Sequence, residues 1–180
     1  GKIQDHPEEP EVCGRDIGLK MLGVIRREGW DSHLPLPKID MLTQLRLDRL
    51  NPQQRRVLDA MSIQFEQADM EDLTLLTGFS PIELVDLLEQ LMRAALVVEQ
   101  LWNRGAVYKF RHPFYKHYVY QHLSMGKRQL WHRTMAECYD KKEGRRWYIL
   151  LPYTIRHYEC GGMPEQAEAL HQKMQNEKEN

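Results

Sequence analysis

The stretch from Asn51 to Phe110 constrains this chain more than any other, because it carries its own punctuation. Asn51 followed by Pro52 marks a helix start. Asn offers a side-chain acceptor to the unpaired amides of the first turn, and proline's missing N–H is harmless at the first helical position. "NPQQRRVLDAMSIQF" then reads as one helix with Val57, Leu58, Met61 and Phe65 inward. "DMEDLTLLTGF" is a short helix capped by Asp69 and stopped by Gly78. "SPIELVDLLEQLMRAAL" opens with Ser80 as cap, Pro81 in the first turn and Glu83 three residues on, a capping box. Its expected inner stripe is Ile82, Val85, Leu88, Leu91 and Met92. The period then changes from helical to alternating. "LVVEQLW" and "AVYKF" flank an "NRG" turn, with Val107 and Phe110 toward the core. Three helices followed by a β-hairpin is the order of a winged helix-turn-helix.

The flanks are less marked. "DHPEEPEV" is an acidic, proline-punctuated lead-in, and "CGRDIGLKMLGVIRREGW" carries Ile17, Met21, Leu22 and Ile25 at helical spacing before a stop at Gly29. "DSHLPLPKI" is a linker, and "DMLTQLRLDRL" is expected to place Met41, Leu42, Leu45 and Leu47 on one side. Beyond the hairpin the chain reads as four helices. The last two, joined at Gly161-Gly162, resemble a tetratricopeptide hairpin, which cannot bury its own face and implies further repeats downstream. The expected fold is mainly α: a lead-in over 1–30, a winged-helix domain with its entry helix over 31–112, and a helical extension over 113–180. Beginning at Gly1 rather than Met, the chain is expected to be a piece of something larger.

Several function classes fit poorly. A net charge of −1 creates no global field toward nucleic acid or an acidic membrane. No apolar run approaches the roughly 20 residues that span a bilayer. Cys13, Cys138 and Cys160 are odd in number and widely spaced, which suits a reduced, cytosolic setting better than a disulfide framework. His112, His117 and His122 recur every five residues, about 140° of net helical rotation per step, so they fan around an axis instead of sharing a metal-binding face. His157 and Cys160 share a face but lack a second ligand pair. "HLSMGK" lacks the first glycine and the preceding strand of a phosphate loop, and no nucleophile elbow is present. A wholly internal active site is therefore not expected.

If the hairpin domain read DNA, Pro81 to Ala94 would enter the major groove. Its exposed charges are Glu83, Asp86, Glu89 and Arg93, with Gln90 as almost its only base-reading side chain. Arg93, Arg104 and Lys109 are the candidate DNA contacts, yet basic residues on a wing grip the backbone without reading sequence. The acidic helix favours protein contact. Trp131 and Trp147 sit among basic residues, where RNA stacking competes with plain packing between paired helices.

Three quoted segments, taken together, resemble a known family: "LPLPKIDMLTQLRLDRLNPQQRRVLDAMSIQF", "LTLLTGFSPIELVDLLEQLMRAALVVEQ" and "VYKFRHPFYKHYVYQHLSMGKRQLWHRTMAECYD". They are similar, over roughly Leu34 to Lys142, to the region that follows the nucleotide-binding module of STAND ATPases, the signal-transducing ATPases with numerous domains. That family includes large bacterial transcriptional activators of the antibiotic-regulatory and maltose-activator types. The resemblance implies a non-catalytic relay segment whose winged helix packs on an ADP-bound ATPase at rest, with residues before Asp31 matching the end of the ATPase lid. It also implies a phosphate-sensing residue at the end of the hairpin, corresponding to Arg111 or His112. His112 could instead cap or anchor the next helix. ATP or ADP is expected only with the ATPase module, since this chain has no Walker A motif. The implied partners are that ATPase, an effector domain, and a protein or small-molecule inducer at the helical repeats. Tyr108, Phe110, Phe114 and Tyr118 are expected to pack the seam between wing and extension.

Overall fold

The computed structural model describes residues 39–103 and 105–178. The expected lead-in helix around Ile17–Gly29, most of the linker and Arg104 lie outside the described residues. The chain divides into two compact units, Gly1–Arg49 and Leu50–Asn180.

In the first unit, α1 (Ile39–Asp48) buries Leu42, Thr43 and Leu47 and leaves Met41 and Leu45 exposed. The expected stripe is therefore only half right. Residues 42, 43 and 47 fall within about 140° of helical arc, whereas 41 and 45 lie together on the opposite side.

In the second unit, α2 (Pro52–Ile63) starts where Asn51 and Pro52 place it. Asn51 Oδ1 accepts the Gln54 amide at 2.8 Å, and the Gln54 side chain accepts the Asn51 amide at 3.0 Å. The helix ends at Ile63, so Phe65 belongs to the exit turn and not to the helix. Every residue from Val57 to Ile63 is buried, which makes the end of α2 the axis around which the other elements pack. A short strand β1 (Ala68–Asp69) follows, unforeseen in the sequence. Asp69 then caps α3 (Met70–Thr77), its carboxylate accepting the Asp72 amide at 2.8 Å, and Gly78 closes that helix at φ 75°. Ser80 and Glu83 form the expected capping box of α4 (Pro81–Arg93).

The buried stripe of α4 is Leu84, Leu87, Leu88 and Leu91. Ile82 is 78% exposed and Val85 also faces solvent, whereas Leu84 is 0% exposed. The expected stripe is thus rotated. Both candidate sets have helical period, and the tertiary partners on α2 and α3 select the one with four leucines.

Strands β2 (Val97–Trp102) and β3 (Gly105–Phe110) form the hairpin, in register from Val97 opposite Phe110 to Trp102 opposite Gly105. Strand β1 adds antiparallel to β3, with Ala68 opposite Tyr108 and Asp69 opposite Val107, giving the order β1-β3-β2. Four further helices complete the unit: α5 (Pro113–Gln121), α6 (Met125–Asp140), α7 (Gly144–Cys160) and α8 (Pro164–Lys178). The seam after the hairpin buries Tyr108, Phe110, Tyr115 and Val119, while Phe114 and Tyr118 remain partly exposed. On α5 the inward pair is again one residue away from the expected one.

Helices α6 and α7 run antiparallel, since Arg133, His132 and Asp140 meet Gly161, His157 and Trp147 respectively. A Cβ on Gly161 would lie 2.8 Å from Arg133 Cγ, so only glycine permits that approach. The core between α6, α7 and α8 is built from Ala136, Trp147, Leu151, Ile155, Tyr158 and Ala167. Among the described residues no helix is long and apolar enough to cross a membrane.

Candidate functional site

The residues singled out from sequence do not converge on one site. Arg111 leaves β3 with its amide bonded to the Leu96 carbonyl at 2.9 Å and its side chain exposed. His112 occupies the cap position of α5, where its ring makes no cap hydrogen bond but stacks on Phe114 at 5.2 Å and 11°. The ring is thus anchored to the helix it precedes. Lys109 is exposed on β3, and Arg93 is exposed on α4 with its guanidinium 3.9 Å from Glu89. Arg104 lies outside the described residues. The outward face of α4 presents Ile82, Glu83, Val85, Asp86 and Glu89, apolar and acidic together. Gln90 is partly withdrawn from it by a 2.7 Å bond from the Gln54 amide.

Neither tryptophan offers a free ring. Trp131 is buried, with Lys127 Nζ 4.5 Å from its ring centroid and Arg56 5.4 Å from it. Trp147 donates to Asp140 at 3.1 Å and is covered by Lys173. Both are packing residues, the second of the two readings their sequence context allowed.

The densest polar chemistry lies instead where α2, β1 and α3 meet α6 and α7. This cluster is not one of the sites expected from sequence. Tyr139 on α6 places its hydroxyl 2.8 Å from Asp72 Oδ2 and 3.2 Å from Gln64 Oε1. Burial, reinforced by the nearby Asp69 charge, pushes the Asp72 carboxyl up to about 7. Above about pH 7 the Tyr139 hydroxyl donates to the Asp72 carboxylate; below it a protonated Asp72 donates to Tyr139, whose own proton then points to Gln64 Oε1, and the three groups form one directional chain.

Beside it, His132 of α6 and His157 of α7 lie Nδ1 to Nδ1 at 2.8 Å, and the Tyr120 hydroxyl sits 3.0 Å from His132 Nε2. Burial lowers His132 to about 4. Burial, followed by the neighbouring His132, lowers His157 to about 2. A short Nδ1–Nδ1 contact requires one nitrogen to donate and the other to accept, which excludes two charged rings, and burial keeps both neutral. Phe65 covers the pair, 5.7 Å from His132 and 4.5 Å from His157, and Arg156 caps the outer side of Phe65 at 3.9 Å.

No family model matches the chain, and neither the curated proteins nor the solved structures give a match.

The polar cluster borders a cavity of about 230 Å³. Val107, Leu150 and Phe65 supply apolar wall, and Glu66, Asp69 and Arg146 supply charge. Arg146 is committed to Glu71 at 2.7 Å, and Lys142 bonds the same carboxylate. Those two hydrogen bonds, Lys142 first, hold Glu71 below the usual carboxylate range. Cys138 and Cys160 are free thiols, and neither lines this cavity. Among the described residues no group of three or more His, Cys, Asp or Glu side chains could hold a metal ion.

Cross-links fix the hairpin portion to the helical extension. Lys127 reaches Asp59 at 2.9 Å, Lys116 donates to the Phe65 carbonyl at 3.0 Å, and Glu71 gathers Lys142 and Arg146. Asp59 also holds Arg55 at 3.2 Å, so this buried carboxylate is doubly compensated. Residue 112, the expected junction, lies inside a single compact unit.

Proposed function

We propose that residues 50–180 form a non-catalytic signal-relay module of a STAND-type transcriptional regulator, a winged helix fused to the first helices of a repeat region. The order helix, strand, two helices, two strands, with β1 on the open side of β3, supports the winged-helix part. The antiparallel α6–α7 pair followed by α8 across Gly161-Gly162 supports the repeat-like part. In this reading an ATPase elsewhere in a cytosolic, bacterial parent binds ATP or ADP. Arg111, exposed at the exit of β3, approaches the nucleotide phosphates as a donor fork, and His112 is the second candidate, held by its stacking on Phe114. Nucleotide exchange changes which contacts the winged helix gains, and so shifts its position. The cross-links to α6 and α7 carry that shift toward repeats that receive an inducer and toward the effector domain.

One observation carries the choice of protein contact over DNA contact. The outward face of α4, which would lie in the major groove, presents Glu83, Asp86 and Glu89 beside Ile82 and Val85. Phosphates repel the first set and give the second nothing to bury against. The test is a fluorescence-anisotropy titration of the 180-residue chain with random and promoter-like duplexes across a salt series. The expected result is weak, unselective binding that is lost by about 150 mM salt. Submicromolar, sequence-selective binding through Arg93, Arg104 and Lys109 would instead make this the DNA-reading domain.

A further inference from the structure

Two buried polar atoms of residues that line the cavity have no hydrogen-bond partner among the described residues: Gln64 Nε2 and His157 Nε2. Gln64 is 3% exposed and His157 0%, so neither deficit is met by bulk water. A buried donor left unpaired is costly enough that an occupant is the expected remedy. Both atoms lie around Tyr139, which bonds Gln64 through its hydroxyl and packs its ring edge-on to His157 at 5.6 Å. The hydroxyl at Gln64 Oε1 fixes the amide so that both Nε2 hydrogens are unspent. With the Tyr120 hydroxyl as donor to His132 Nε2, the stronger role of a phenol toward an imidazole nitrogen, His132 Nδ1–H donates to His157 Nδ1, and this tautomer leaves His157 Nε2 with the second free N–H. The inner end of the cavity is thus a pair of neutral donors.

The rest of the lining sets the charge and size of what can enter. Both histidines are neutral, and Arg146 is already engaged by Glu71, so no free cation awaits an anion. Glu66 and Asp69 in the wall oppose one further. A group that brings only more donors, as an amidinium does, leaves both N–H groups unpaired. The volume is that of a single-ring molecule, since a cavity of about 150 Å³ holds benzene and this one is larger. Its outer part, lined by the exposed Trp102 and Ile149, is apolar and open to entry.

We propose that this cavity is a binding site for an uncharged, single-ring molecule bearing a carbonyl-type acceptor, received by the Gln64 amide and the His157 ring with the ring of the ligand between Val107, Leu150 and Trp102. The site stands on these contacts alone and does not depend on the relay reading. The ligand class is a small aromatic or heterocyclic amide, lactam or ketone.

The test uses three isosteric probes, benzamide (neutral), benzoate (anionic) and benzamidine (cationic), titrated into the ¹⁵N-labelled 180-residue chain. Benzamide is expected to move the Gln64 side-chain amide and the Trp102 indole signals saturably. Benzamidine should bind at least about tenfold more weakly because it brings no acceptor for the two N–H groups, and benzoate likewise because its charge meets Glu66 and Asp69 with no free cation in the lining to offset it. Gln64→Leu removes the amide donor and leaves only that of His157, and Ile149→Trp, at an exposed rim position, narrows the entrance without touching the core. Each should weaken benzamide at least about tenfold. Equal binding of all three probes, no binding of benzamide, or benzamide binding unchanged in Ile149→Trp would each overturn the proposal and leave a cavity filled by water alone.

Discussion

Acidification separates the two buried polar chains, because their protonation pulls stability in opposite directions. His132 and His157 are held neutral in the folded state, about 4 and about 2 against an ordinary 6.5. Each therefore contributes stability that is complete above pH 6.5 and is lost as the unfolded chain takes up protons below it. Asp72 behaves oppositely. Its folded carboxyl, raised from 3.8 to about 7, keeps a proton that the unfolded chain has released, so stability grows as pH falls through that window. Between pH 6.5 and 5 the histidine pair together costs about 3 kcal/mol, while Asp72 returns about 2, for a net loss of about 1 kcal/mol. Asp72→Asn keeps a neutral side chain that can donate to Tyr139 but removes the compensation, so the same step should cost about 3 kcal/mol. At roughly 2–4 °C per kcal/mol for a chain of this size, the midpoint should fall by about 2–4 °C in the parent and 6–12 °C in the variant. Thermal melts at pH 6.5 and 5.0 and constant ionic strength read this directly. Surface carboxylates and exposed histidines are common to both proteins and cancel in the comparison. Identical pH dependences would refute the assignment of Asp72 as a protonated donor, and a midpoint that rose on acidification in the variant would refute the neutral histidine pair.

Two substitutions test the packing. Leu84→Ala, at a fully buried position, should cost about 2–5 kcal/mol in a denaturant titration, whereas Ile82→Ala should stay within about 0.5 kcal/mol; the reverse order would restore the other stripe of α4. Gly161→Ala brings a methyl group to 2.8 Å from Arg133 Cγ and 3.0 Å from the His157 carbonyl. It should cost about 1–3 kcal/mol by prising α7 from α6, and a thermal midpoint equal to the parent's would show that this approach is slack.

What could be read in advance was local chemistry. Asn51, Asp69, Gly78 and the Ser80–Glu83 box sit where their side chains or backbone freedom are used within three or four residues, so the helix boundaries they set needed no tertiary information. The change of period after Leu96 located the hairpin in the same way. Choice of face was not local. On α4 and on α5, two sets of apolar residues each satisfy helical spacing, and only the neighbouring helices decide that Leu84 and Tyr115 point inward in place of Ile82 and Phe114. Strand β1 is two residues long, too short to show alternation, and exists because β3 had an unpaired edge. The histidine pair was invisible to spacing rules, since His157 finds His132 across 25 residues and not its helical neighbour Cys160. A weaker signal was present. His132 falls within the apolar stripe Trp131, Met135, Ala136 and Tyr139, and a histidine on a core stripe needs a partner. For Gln64, just past the end of α2, no comparable signal existed.

Asp69 occupies a mechanical crossroads. Its backbone pairs with Val107 of β3, while its side chain holds the first turn of α3 and its charge bears on Asp72. The hairpin therefore cannot peel from the body of the module without dragging on a helix cap, and a cap of this kind is worth about 1 kcal/mol. A pull on the wing tip would arrive, two residues of strand later, at the carboxyl that orients Tyr139 and Gln64. The shortest of the described strands is the tendon of the module.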